Sequence, residues 1–195
     1  YISFGTGENN LYRIVSHENG TGTKITSAEP LKSSGNFIKS TFGNNVTFSS
    51  TNTIGSFLNG EYLTNYVDSA YRDMIEDNTT WYLGTVGDAA SYKLAKYTDT
   101  NMSNTTTSIT NAKVGLLRVG ELMSGQSDGK DGNVDYWTLT PESTFNVRHI
   151  RIYADAGYSS YSYSYGVRPA LNLKSNVQIT SGDGTKENPF IIELA

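Results

Sequence analysis

Apolar residues along this chain alternate over many short stretches, and one stretch carries a helical repeat. Leu11-Tyr12-Arg13-Ile14-Val15-Ser16 reads as a strand, His17-Glu18-Asn19-Gly20-Thr21-Gly22 as a turn and Thr23-Lys24-Ile25-Thr26 as the returning strand, so a hairpin opens the fold. Between residues 33 and 53, Phe37, Ile38, Phe42, Val46 and Phe48 stand isolated among Ser, Asn, Gly and Thr, which predicts irregular loop or short strands. Leu63, Val67, Ala70, Tyr71 and Met74 then recur at helical spacing, with Asp68, Arg72, Asp73 and Glu76 on other faces. They predict a helix from Leu58 to Glu76, broken by Asp77-Asn78-Thr79-Thr80.

Trp81-Tyr82-Leu83-Gly84 resumes extended structure with a bulky core anchor, and residues 92–97 predict a further strand. Residues 98–110 are almost wholly Thr, Ser and Asn, a surface loop. Residues 112–117 give a short buried strand, and Val119, Leu122 and Met123 a short helix that Gly125 ends. The remainder is β: strands at residues 135–140, 145–154, 166–173, 177–180 and 190–194, the last two closing as a hairpin about Gly182-Asp183-Gly184. The fold class expected is α+β, with short antiparallel strands, one or two helices and long irregular loops.

Composition narrows what such a fold can do. The 195 residues suit a single domain spanning 1–195, and the opening at Tyr1 in mid-pattern is what a domain excised from a longer surface protein would give. Charged residues make up 17% of the chain, and Asn, Ser, Thr, Gly and Tyr occupy the surface share that Lys and Glu usually take. A net charge of -4 without a basic cluster argues against nucleic acid. No run of about 18 apolar residues is present, which argues against direct membrane insertion. The chain has no cysteine, which removes disulfides, thiol catalysis and thiolate metal sites. This composition is similar to that of exported surface proteins of Gram-positive bacteria, so an extracellular, cell-surface or virion-surface location is expected.

The run Tyr158-Ser159-Ser160-Tyr161-Ser162-Tyr163-Ser164-Tyr165 is too polar for a core strand and too aromatic for a linker. Two readings stay open. Tyr supplies a large amphipathic face with few torsions to order and Ser supplies adaptable hydrogen bonds, the pairing found in binding loops. Alternatively, alternate rings of a decorated hairpin pack on the body while the rest face water. The first reading makes Tyr153, Tyr158, Tyr161, Tyr163 and Tyr165 ligand-binding candidates.

Other chemistry is sparse. Asp128, Asp131, Asn133 and Asp135 set three carboxylates and an amide in a Gly-broken loop, the donor set calcium takes, and no other cofactor is expected. Leu139 stands where an EF-hand loop starting at Asp128 requires Glu, so a solvated turn is the competing reading. His17 falls in a predicted turn and His149 in a strand, with no Gly-x-Ser-x-Gly motif in the chain, so no catalytic residue is assigned. Arg168 beside Pro169 needs carbonyl or carboxylate partners if buried, and its fork of donors can tie loops together. Trp81, Trp137 and Arg168 are therefore expected in the structural core.

The ordered series Tyr12-Arg13-Ile14-Val15, Leu58-Asn59-Gly60-Glu61-Tyr62, Trp81, residues 114–121, Tyr136-Trp137-Thr138-Leu139-Thr140-Pro141 and Gly166-Val167-Arg168-Pro169-Ala170-Leu171 resembles uncharacterised Firmicutes surface and pilin-associated domains. Those are similar to the C-type-lectin-like fold, in the branch of formylglycine-generating enzymes and phage tropism (variable) proteins. The resemblance implies that the Trp137 and Arg168 segments are neighbouring core strands and that the Tyr/Ser run between them is displayed to a ligand. It implies no enzyme activity, because the formylglycine-generating chemistry needs cysteine. The Trp-Asn-Asp and Glu-Pro-Asn calcium signatures of lectins are also missing, Trp137 being followed by Thr138-Leu139. The expectation is a non-enzymatic adhesion or receptor-binding domain for a host or bacterial surface protein or glycan. A structural module of a pilus or surface fibre, and a carbohydrate-active enzyme with two carboxylates in a cleft, are the alternatives.

Overall fold

The computed structural model describes residues 1–18, 22–84, 108–124 and 133–195. A short strand β1 (Ile2–Ser3) lies against β2 (Leu11–Glu18), which pairs antiparallel with β3 (Gly22–Ser27), Ile14 opposite Ile25. The expected first hairpin is thus present, its tip lying outside the described residues. The Ser/Asn/Gly-rich segment forms short strands: β4 (Lys32–Ser33), β5 (Asn36–Phe37) and β6 (Lys39–Thr41). Ser34 and Gly35 both take positive φ in the turn between β4 and β5, a backbone region that favours Gly.

The long helix expected over Leu58–Glu76 is instead three short ones: α1 (Thr53–Asn59), α2 (Glu61–Asn65) and α3 (Ser69–Arg72). Capping explains where each begins and ends. The Asn52 side chain accepts from Gly55 N at 3.0 Å, which starts α1 before the apolar repeat does. At Gly60 the backbone leaves helical geometry (φ -123°, ψ -93°). The Asn59 amide is drawn sideways, donating to Val114 O and accepting from Lys113 N and Val114 N. Asp68 then opens α3 by accepting from Ala70 N. Of the residues in the helical repeat, Val67 and Met74 face the core, Leu63 and Tyr71 are half-buried against it and Ala70 is exposed.

Strands β7 (Trp81–Tyr82) and β8 (Ser108–Ile109) pair antiparallel, followed by β9 (Val114–Gly115) and helix α4 (Val119–Ser124). The strand expected at residues 92–97, most of the Thr/Ser/Asn loop and Gly125 lie outside the described residues.

Then come β10 (Tyr136–Pro141), β11 (Asn146–Ile150), β12 (Ala156–Ser160), β13 (Ser164–Gly166), β14 (Ala170–Leu173), β15 (Val177–Ser181) and β16 (Ile191–Leu194). They complete two five-stranded sheets, ordered β1-β2-β3-β14-β9 and β12-β11-β10-β13-β6, and the closing β15-β16 hairpin. Among the described strands, all pairings except β10 with β13 are antiparallel. The described residues are therefore mostly antiparallel sheet with few, short helices. The strand expected at 166–173 is split, because the segment from Val167 to Pro169 carries the chain from the second sheet into the first. The strand expected at 145–154 stops at Ile150, where the Arg151 N to Asp155 O and Ala154 N to Arg151 O hydrogen bonds close a turn.

Between the sheets and α1–α2 lies one hydrophobic core holding Trp81, Trp137, Phe42, Phe48, Tyr12, Tyr62 and Tyr136. The Tyr12 and Tyr62 hydroxyls meet at 2.5 Å within it. Burial raises both phenols above their ordinary range, so the pair stays neutral.

Candidate functional site

The two sheets are tied together by Arg168. Its side chain is 2% exposed; Nε donates to Ser27 O (2.9 Å), Nη2 to Ala28 O (3.1 Å) and Nη1 to the Tyr136 hydroxyl (2.9 Å). The fork thus joins the end of β3 to the start of β10, which fixes the base of the sheet carrying the Tyr/Ser run. Trp137 is held likewise, its indole N–H donating to Ser40 O and its ring meeting Phe42 edge-on. Trp81 donates to Ala112 O from a fully buried position.

On that sheet, Trp137, His149 and Gly157 are register partners across β10, β11 and β12, so they share one face. Tyr165 lies over them, stacked on His149 at 4.3 Å between centroids and edge-on to Trp137 at 4.8 Å. Tyr163 stacks on Tyr165 in turn, at 6.4 Å. A column of rings therefore runs from the core out to the surface. Ser159 locks it: its hydroxyl is 2.8 Å from the Tyr165 hydroxyl and 3.2 Å from His149 Nε2. A Cβ on Gly157 would stand 2.4 Å from Arg151 Nε and 2.9 Å from His149 Nε2, so a larger residue beside the column would displace those side chains.

The structure divides the five candidate tyrosines. Tyr161 and Tyr165 are half-buried against the core, while Tyr153 (79% exposed), Tyr163 (60%) and Tyr158 (53%) face solvent. They do not converge on one patch. Tyr158 pairs with Arg148 in register, on the sheet face opposite His149, and lies under the Arg148 guanidinium at 5.4 Å. Tyr153 sits in the turn between β11 and β12, whereas Tyr161 and Tyr163 follow the far end of β12. Phe145, expected as the first residue of a strand and not as a site residue, is 68% exposed in the turn after β10. Its carbonyl accepts from Tyr161 N, bringing the turn before β11 alongside the turn after β12. Phe145 and Tyr163 are thus the exposed rings of these two adjoining turns, the aromatic tip of the second sheet, while Tyr161 is half-buried against the core.

Ser159, His149 and Asp135 have the composition of an acyl-transfer triad, a juxtaposition across the sheet that sequence spacing did not reveal. His149 Nδ1 is 3.5 Å from Asp135 Oδ2 without a hydrogen bond, the imidazole is 4% exposed beneath Tyr165, and the Ser159 hydroxyl is shared with the phenol. Burial lowers the His149 pKa, with Asp135 opposing and Arg151 reinforcing the shift, so the ring in the column is neutral at neutral pH. His149 and Ser159 of this cluster both contact Tyr165.

Of the calcium candidates, Asp128 and Asp131 lie outside the described residues and Asn133 is exposed. Asp135 points to the β11–β12 turn, its Oδ1 accepting from Ile152 N. Among the described residues, no group of three or more acidic or imidazole side chains is gathered for a metal ion, and no helix is long and apolar enough to cross a membrane. Comparison with known proteins finds no family model, no curated protein and no solved structure that matches this chain.

Proposed function

We propose that this chain is a non-enzymatic recognition domain of a bacterial cell surface or phage particle, on a C-type-lectin-like scaffold, which meets a protein or glycan surface with the aromatic tip of its second sheet. One observation carries the reading: Tyr163, though mostly exposed, is the outer member of the stacked column Tyr163–Tyr165–His149, itself seated on buried Trp137. An exposed ring held in place before contact loses little entropy on binding, and Tyr is among the residues that dominate interfaces. A tyrosine that only solubilised the surface would need no such backing. The lectin-like scaffold is supported by β10 lying beside β13, into which the Tyr/Ser run leads, and by the buried arginine that joins the sheets.

The test is a screen of the domain against arrayed glycans and purified host and bacterial surface proteins, with and without a calcium chelator, beside a Phe145→Ser/Tyr163→Ser variant. Binding that vanishes in the variant and ignores the chelator is expected. Equal binding by both proteins would refute the assignment.

A further inference from the structure

A second feature shares no residue with the aromatic tip. On the first sheet, Ser16, Lys24 and Asn172 are register partners across β2, β3 and β14. This polar row is backed by Ile25 and Leu171 on the opposite, fully buried face. It floors a cavity of about 690 Å³, walled by β7, the segment entering α4 and the chain after α3. That volume is typical of small-molecule sites.

The groups facing the cavity choose among ligands. Lys24 is not a free cation, because Glu121, only 8% exposed at its side chain, meets Nζ at 2.5 Å with one oxygen and accepts from Arg118 N with the other. Arg118 Nε also lies 3.8 Å from Glu121, so Lys24 and Arg118 share a carboxylate of the protein itself, while Lys174 and Glu76 among the lining residues carry opposite charges; burying such an ion pair adds little stability by itself. The Asn172 amide is 7% exposed and donates one N–H to Thr79, leaving further donor and acceptor capacity directed at the cavity. Tyr82 contributes a half-buried ring on the same wall, one face of which lies under the Arg118 guanidinium at 5.6 Å. Hydroxyl, ammonium and amide groups on three adjacent strands, beside an aromatic ring, suit a neutral ligand that donates and accepts at every oxygen.

We infer that this cavity binds one neutral pyranose residue of a glycan, with Ser16, Lys24 and Asn172 meeting its hydroxyls and Tyr82 its apolar face. The site is independent of the aromatic tip and would stand if the tip failed its own test.

The experiment is a ¹H–¹⁵N titration of the 195-residue domain with the methyl glycosides of glucose, galactose, mannose and N-acetylglucosamine, and separately with inorganic phosphate. Saturable shifts are expected at the amides of Thr23, Lys24, Asn172 and Lys174 for at least one glycoside, with the Kd raised about tenfold in Tyr82→Ala and in Asn172→Ala. Tyr82→Phe, which keeps the ring, should bind as the parent does. Unchanged dispersion elsewhere in each variant's spectrum separates lost binding from lost folding. Absence of glycoside shifts at those amides, an unchanged Kd in both alanine variants, or tighter binding of phosphate than of any glycoside would overturn the inference.

Discussion

Replacing Arg168 by Met removes three hydrogen bonds from a charged donor, to Ser27 O, Ala28 O and the Tyr136 hydroxyl, all of them buried. Two backbone carbonyls are then left without these partners, each costing about 1–3 kcal/mol, and relief from burying the guanidinium offsets part of that loss. The expected net destabilisation is about 4 kcal/mol, which for a chain of this length lowers the melting temperature by roughly 10 °C. Urea unfolding followed by tryptophan fluorescence measures it, with an unchanged m value showing that the denatured state is unaffected. Arg168→Lys should not restore stability, because an ammonium cannot reach three acceptors arranged for a planar fork. Tyr136→Phe alone should cost about 1 kcal/mol, and its effect should largely disappear in the Arg168→Met background. A loss below about 1 kcal/mol in Arg168→Met would refute the view that this side chain clamps the two sheets.

Three further outcomes follow from particular contacts. Asn59→Ala removes the amide that bonds Gly55 O, Val114 O, Lys113 N and Val114 N, and should cost about 2–4 kcal/mol in chemical denaturation. Gly115→Ala puts a Cβ 2.8 Å from the Trp81 ring, so about 1–3 kcal/mol of stability and the near-ultraviolet circular dichroism of that indole should be lost. The His149 pKa is lowered in the fold, chiefly by burial, so the unfolded chain takes up the proton first on acidification. Stability from this group is therefore complete above about pH 6.5 and falls as pH drops below it. Asp135, Arg151 and Asp155 face the ring and set how far the shift extends. His149→Phe keeps a stacking ring and should flatten that part of the pH profile, whereas an unchanged profile would contradict the assignment.

What sequence reasoning could reach was local. Both hairpins follow from alternation beside Gly-containing turns, and α4 from Val119 and Leu122 at helical spacing. The burial of Trp81, Trp137 and Arg168 follows from side-chain size and from a guanidinium's need for acceptors. The long helix failed because its apolar repeat reports burial and not continuity, and continuity was decided by Asn59 turning toward β9 and by the backbone at Gly60. The division of the Tyr/Ser run was hidden for a similar reason. Which rings turn inward depends on Tyr165 pairing with Ser40 across β13 and β6, a contact between distant parts of the chain. Phe145 left a faint local signal, a lone large apolar residue in an otherwise polar turn, while the approach of Ser159 to His149 arises only from the register of β11 with β12.

The most direct measurement compares Tyr163→Ser with Tyr165→Ser for binding and melting together. The account predicts that Tyr163→Ser melts as the parent does and loses affinity at least about tenfold, as truncating an interface anchor does. Tyr165→Ser should instead lower the melting temperature, because it removes the ring between His149 and Tyr163 and the partner of the Ser159 hydroxyl. If Tyr163→Ser bound normally while melting lower, the exposed ring would be part of the scaffold and the recognition reading would fall.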